Sequence, residues 1–184
     1  MTVAIPVELV GHDPRWKLMA ADYAGRLRSL GDVVLRVEHI GSTAVAGLIA
    51  KPVVDMLVVV TTLAALDARQ GDVVSLGMVW HGEFGVDGRR FCTLDSDAGD
   101  SDARVRLANV HFYAADSRHP ARQIAFRDYL RSHPDVAAAY GVEKQRAAKI
   151  QPDDSTAYSA EKGDWIRSVE LAALDWSVGA GRSA

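Results

Sequence analysis

The chain has one cysteine, Cys92. That excludes an internal disulfide and any zinc site built from several thiolates, and leaves Cys92 as a small apolar residue. No apolar run approaches the length of a membrane span. The first residues lack a basic segment followed by an apolar stretch, so no secretory signal is read and the expected compartment is the cytoplasm. Charge of one sign is also missing: 21 basic residues face 24 acidic ones, for a net charge of -3. This balance argues against a protein that coats nucleic acid, and leaves room for a local basic pocket. There is no internal repeat, low-complexity linker or coiled-coil heptad pattern. What is present is apolar: 48% of 184 residues are hydrophobic, enough for one sizeable core. A single domain over residues 1–178 is expected, with residues 179–184 as a fraying tail.

The chain is organised around residues 38–60, EHIGSTAVAGLIAKPVVDMLVVV. A strand-like run ends at Gly41-Ser42-Thr43. The chain then returns through Lys51-Pro52 into a second apolar run carrying one acid, Asp55. A carboxylate inside such a strand is costly unless it is paired, hydrogen-bonded or metal-bound. The small-residue turn offers backbone N–H groups and two hydroxyls, which suit phosphate oxygens. Two readings stand side by side: a phosphate-and-metal site, or a tight turn followed by a strand whose acid sits at an exposed end.

Along the chain, Asp13-Pro14 opens a helix reaching about Leu30, with Trp16, Met19, Tyr23, Leu27 and Leu30 at helical spacing, and Gly31 stops it. Strands are expected at 33–40 and from Pro52 onward, the latter apolar on both faces like a central, covered strand. A helix over 63–76 follows, then a hairpin of strands 78–83 and 90–94 around Asp87-Gly88. Residues 95–102, DSDAGDSD, read as a solvated loop; Gly99 and Arg106 stand at the wrong offsets for a calcium loop. The last strand is placed at 105–113. Pro120, Pro134 and Pro152 open helices at about 120–132, 134–150 and 154–177. The fold class is α/β (α+β), a mixed sheet flanked by helices with a helical C-terminal third.

Several side chains can carry chemistry. Alternate residues of a strand share a face, so a metal site of paired carboxylates would need an acid at position 57; Leu57 stands there. Asn109 and His111 alternate on the last strand. One option is a metal held by Asp55 and His111 with Glu38 or Glu83; the other is His111 hydrogen-bonded to Asp55 or a carbonyl. His39 reads as a structural histidine beside the turn. Tyr140 and Lys144 share a helix face, as do Tyr158, Lys162, Ile166 and Val169. Lys162 therefore lies on a packed stripe, where a lysine snorkels outward or meets an anion. Arg127, Lys144 and Lys162 leaning toward the sheet, with Lys51 beside the turn, would form a phosphate pocket. The alternative is internal salt bridges to Asp55, Glu38 or Asp128.

Gly41-Ser42 followed by an acid in an apolar strand resembles the nucleotidyltransferase superfamily pattern. The longer string, with His12-Asp13-Pro14-Arg15-Trp16, Phe126-Arg127-Asp128-Tyr129-Leu130-Arg131, Tyr140, Lys144, Tyr158 and Lys162, resembles the GrpB family over nearly the whole chain. That resemblance implies a fold like small nucleotidyltransferases and, in some members, fusion to dephospho-coenzyme A kinase. It also implies that a missing second acid is common to the family, and that a His-x-His pair is usual where this chain has Asn109 and His111. Two functions follow. In the first, a nucleotide or other phosphorylated small molecule lies over Gly41, Ser42 and Thr43, with Lys51, Arg127, Lys144, Tyr158 and Lys162 around its phosphates. Asp55 holds one magnesium ion (Mg2+), and a nucleotidyl group passes to an acceptor. In the second, the same pocket holds a nucleotide or coenzyme A-type ligand without turnover, as an accessory module. A plain interaction domain with internally paired cations is a third reading. Neither a membrane nor extended nucleic acid is an expected partner.

Overall fold

The computed structural model describes residues 6–96 and 105–179. Residues 1–5, most of the expected acidic loop at 95–102 and all but the first residue of the expected tail at 179–184 lie outside the described residues. Five strands form one mixed sheet in the order β1-β2-β5-β4-β3: β1 (Val34–Ile40), β2 (Val54–Val60), β3 (Met78–Trp80), β4 (Arg89–Asp95) and β5 (Arg106–Ala114). β2 runs parallel to β5 and antiparallel to β1; β4 is antiparallel to both β5 and β3. β2 therefore has strands on both sides, as its continuous apolar sequence implied.

The two faces of β2 have different fates. Val54, Met56, Val58 and Val60 point to the main core, which they share with Trp16, Ala20, Tyr23, Ala24 and Leu27 of α1 (Arg15–Arg28). Strand period meets helical period here, and most of the buried apolar residues among those described gather on this side. The alternate residues Asp55, Leu57 and Val59 face the other way. Leu57 packs with Ile40, Tyr113 and Ile124 of α4 (His119–Ser132). Asp55 thus belongs to the side covered by the C-terminal helices.

Some boundaries differ from the sequence reading, each for a local reason. The helix expected over 63–76 divides into α2 (Leu63–Asp67), capped by Thr62 Oγ1 accepting from the Ala65 N–H, and α3 (Gln70–Ser75). Gly71, a weak helix former, sits just past the break. The hairpin is wider than Asp87-Gly88 implied: β3 stops at Trp80, and residues 81–88 form a loop with Gly82, Gly85 and Gly88 all at positive φ. α5 (Pro134–Ile150) begins at Pro134 as expected, and α4 begins at His119, one residue ahead of Pro120. Pro152 starts no helix; Asp154 caps α6 (Ser155–Glu161) by accepting from the Thr156 and Ala157 N–H groups. The long final helix expected over 154–177 breaks at Lys162, and α7 (Gly163–Gly179) continues from there. No helix among the described residues is long and apolar enough to cross a membrane.

Candidate functional site

The turn after β1 is held from three directions. Gly41 has φ 70°, and a Cβ at that position would lie 2.5 Å from Asp55 Oδ2. Glycine is needed there both for the left-handed backbone and for the close approach of the carboxylate. His39 Nε2 meets Thr43 Oγ1 at 2.9 Å, and Arg131 Nε donates to the Ala44 carbonyl at 2.9 Å. Burial pushes the His39 imidazole down to about 4, so it is neutral at physiological pH. Its role is the structural one its position suggested.

Asp55 closes a polar chain across the sheet. Asn109 Nδ2 donates to Asp55 Oδ1 at 2.9 Å; Arg106 donates from Nη1 to Asn109 Oδ1 at 3.2 Å and from Nε to Asp95. His111 Nε2 lies 3.9 Å from Asp55 Oδ1, while Arg89 Nη1 faces His111 Nδ1 at 3.4 Å. An arginine cannot accept, so in the neutral ring the proton belongs on Nε2, toward Asp55. Burial works to raise the Asp55 carboxyl, but His111, Asn109 and Lys51 outweigh it and hold the group ionised below the usual carboxylate range.

This donor set does not hold a magnesium ion by itself. A single carboxylate is present, so most of the coordination shell would have to come from a ligand's phosphates and water. Asn109 turns its NH2 group to Asp55, and His111 presents an N–H rather than a lone pair. Among the described residues no group of three His, Cys, Asp or Glu side chains converges. The expected supporting acids are occupied elsewhere: Glu38 with Arg36 and Arg127, and Glu83 with Arg90 and the Gly88 N–H.

The lysines do converge. Lys144 Nζ lies 5.2 Å from the Tyr140 ring centre and donates to the Ile49 carbonyl. Lys162 Nζ is 4.1 Å from the Tyr158 ring centre and 5.9 Å from that of Tyr140. Lys51 Nζ is 5.5 Å from the Tyr158 ring centre and donates to Ser155 Oγ. Lys144 and Lys162 are buried, 2% and 9% exposed. Burial drives the Lys144 ammonium down to about 7, with Lys162 adding to the effect and Asp55 opposing it. Burial likewise brings Lys162 down to about 8, helped by Lys51. Among the described residues Lys162 Nζ has no hydrogen bond and no ion pair. Tyr140, stacked on Trp165 at 4.8 Å, touches the Ser42 hydroxyl and so ties the lysines to the turn. Tyr158 Oη is buried without a hydrogen-bond partner.

One predicted member is not part of this cluster. Arg127 donates from Nη1 to Glu38 Oε2 at 2.6 Å and to the His39 carbonyl, and from Nε and Nη2 to Asp128. It is a clamp between α4 and the end of β1, the internal salt bridge that sequence reasoning held as the alternative. Arg106 and the amide of Asn109 were missed as a relay; Asn109 was legible through its alternation with His111, whereas Arg106, five residues before His111, gives no such signal. A separate cavity of about 730 Å³ lies on the outside of α5, α6 and α7, lined by Glu143, Arg146, Glu161 and Asp164. Arg146 pairs there with Glu143 and Glu161, and with Asp164 the lining is net negative, unsuited to a phosphate.

Comparison with known proteins gives a consistent result. The model of the GrpB family, described as GrpB protein, matches residues 6–171. The UPF0157 protein YqkA of Bacillus subtilis is 31% identical over 94% of this chain and 49% of its own length. A dephospho-CoA kinase of Mycolicibacterium paratuberculosis is 32% identical over 96% of this chain and 48% of its own. This chain therefore spans about half the length of both relatives. A crystal structure of the conserved protein GrpB from Enterococcus faecalis superposes with a TM-score of 0.82 at 34% identity, covering 91% of this chain and 98% of that one. The turn at Gly41, the strand acid and the helix lysines are thus features of a chain that belongs to the GrpB family.

Proposed function

We propose that this chain binds a phosphorylated small molecule between the Gly41-Ser42-Thr43 turn and the lysines of α5 and the α6–α7 junction, without turning it over. The observation that carries this reading is Lys162, 9% exposed, whose ammonium rests on aromatic rings with no hydrogen bond or ion pair among the described residues. Three ammonium groups share the neighbourhood of Asp55, and Lys162 also feels Glu143, a carboxylate already paired with Arg146. Such an excess of buried positive charge is unfavourable alone and is relieved by an incoming anion. Tyr158 Oη offers a further donor to it. In this reading Lys51, Lys144 and Lys162 neutralise phosphate oxygens, Tyr158 orients one of them, and Asp55 limits the net charge of the empty site. The likeness to a protein named dephospho-CoA kinase supports a coenzyme A-type or nucleotide ligand by association.

A second reading, transfer of a nucleotidyl group with one magnesium ion on Asp55, is favoured by the abutment of Asp55 on Gly41 directly after the turn. The lone carboxylate stands against it. A thermal-shift titration with tripolyphosphate, ATP and CTP, with and without magnesium, separates the two. The expected result is stabilisation without magnesium, lost in Lys162→Ala and retained in Asp55→Ala. A shift that requires magnesium and vanishes in Asp55→Ala would favour transfer. No shift with any of these ligands would remove both readings.

A further inference from the structure

The loop between β3 and β4 carries an aromatic group that the phosphate reading does not use. Phe84 is 64% exposed and sits at φ 48°, the only non-glycine residue with positive φ among those described. A left-handed backbone at a bulky residue is unfavourable and persists only where the surroundings enforce it. They do so here. Arg89 Nη2 donates to the Phe84 carbonyl at 2.7 Å and to the Glu83 carbonyl at 3.2 Å, and the Gly88 N–H donates to Glu83 Oε1 at 3.1 Å. The result is a ring held outward. One face of Phe84 stacks on Phe91, with centres 5.1 Å apart and planes 22° apart. His81, fixed by Thr93 Oγ1 at 2.9 Å, lies against both rings. Arg89, itself 9% exposed and in no ion pair among the described residues, rests 4.9 Å from the Phe91 ring centre.

This platform is continuous with the candidate site. Phe91 pairs with His111 across β4 and β5, and His111 with Leu57 across β5 and β2, so their side chains share the face of Asp55. The Phe91 and His111 ring centres are 5.2 Å apart, and His111 reaches Asp55. The side chains of Asp55 and His111 remain 31% and 18% exposed, so this stretch of sheet is open to a ligand. Along it the contacts run from Asp55, which acts on the lysines, through His111 and Phe91 to Phe84.

Resting on the phosphate-binding reading, we propose that Phe84 and Phe91, flanked by His81 and Arg89, form a stacking subsite for a planar aromatic ring. The ligand is then a nucleotide, with its base on Phe84 and its phosphates at Lys51, Lys144 and Lys162. Every nucleobase offers a π face to such a ring, so this end selects for a base without choosing among bases.

The test compares ATP with inorganic tripolyphosphate by calorimetric titration of the whole chain, both without magnesium. ATP is expected to bind about 10- to 100-fold more tightly than tripolyphosphate. Phe84→Ala should bring that ratio close to one, because the exposed ring is the part lost. Phe84→Trp should keep the ratio, and ATP but not tripolyphosphate should quench the new indole. If both ligands bind but the wild-type ratio is near one, or Phe84→Ala leaves it unchanged, the stacking subsite is refuted and the phosphate reading stands. If neither ligand binds the wild type, the phosphate reading fails and takes this inference with it.

Discussion

Replacing Lys162 by methionine should make the ligand-free protein more stable at pH 7 and abolish its response to polyphosphate. Methionine keeps the length and apolar stem of the side chain and removes only the ammonium. In the wild type, burial brings that ammonium down to about 8 from its ordinary 10.5, with Lys51 contributing. Each pH unit of such displacement corresponds to about 1.4 kcal/mol. The lost cation–π contacts with Tyr158 and Tyr140 offset part of the gain, leaving an expected stabilisation of about 1–2 kcal/mol.

The sign with pH is fixed by proton counts. Below about 8 both folded and unfolded chains hold the proton, and the folded state carries the full penalty. Between about 8 and 10.5 the unfolded chain binds more protons than the folded one, so wild-type stability rises with pH. The advantage of Lys162→Met should therefore be largest at pH 7 and shrink toward pH 10. Denaturant unfolding at several pH values, beside a tripolyphosphate titration, measures both halves. A destabilised variant, or one that still binds as the wild type does, would count against the buried-cation account.

The second large effect lies outside the pocket. Arg127→Ala should destabilise the protein by about 2–4 kcal/mol, or very roughly 5–15 °C in Tm, because a buried hydrogen-bonded cation leaves its partners behind when removed. Its guanidinium ties Asp128 of α4 to Glu38 and the His39 carbonyl at the end of β1. Glu38 and Asp128 are partly open to solvent, which keeps the figure below that of a fully enclosed pair. Arg127→Lys should recover little, since a single ammonium cannot span the planar fork. Thermal and denaturant unfolding check the magnitude. A near-neutral Arg127→Ala would mean that β1 and its turn are held by the sheet alone.

The strand, turn and strand around Gly41 were legible because several local signals agree there: a small-residue turn, a proline just ahead of the second strand, which starts at Val54, and an apolar run with one acid. The helix lysines were legible as well. Tyr140 and Lys144 are four apart, and both prove buried. Arg127 was read into the pocket because sequence spacing shows that a cation faces inward, not which carboxylate it meets. Glu38 and Asp128 reach it before any ligand can. The break at Lys162 was hidden because the periodicity of Tyr158, Lys162 and Ile166 runs across it. The aromatic platform was hidden too. Asp87-Gly88 signals a turn, but nothing local says that Phe84 will adopt φ 48° under the hold of Arg89.

The claim on which the account turns is that buried lysines await an anion and take up protons when it arrives. Lys144, brought down to about 7, and Lys162, brought down to about 8, are partly neutral at pH 8, and a bound polyphosphate favours their charged forms. Calorimetric titration with tripolyphosphate at pH 8, in two buffers of different ionisation enthalpy, reads that uptake directly. The account expects binding with a net uptake on the order of one proton and an affinity that falls as pH rises from 6.5 to 9. Absence of binding, or binding with no proton taken up and no dependence on pH, would contradict it.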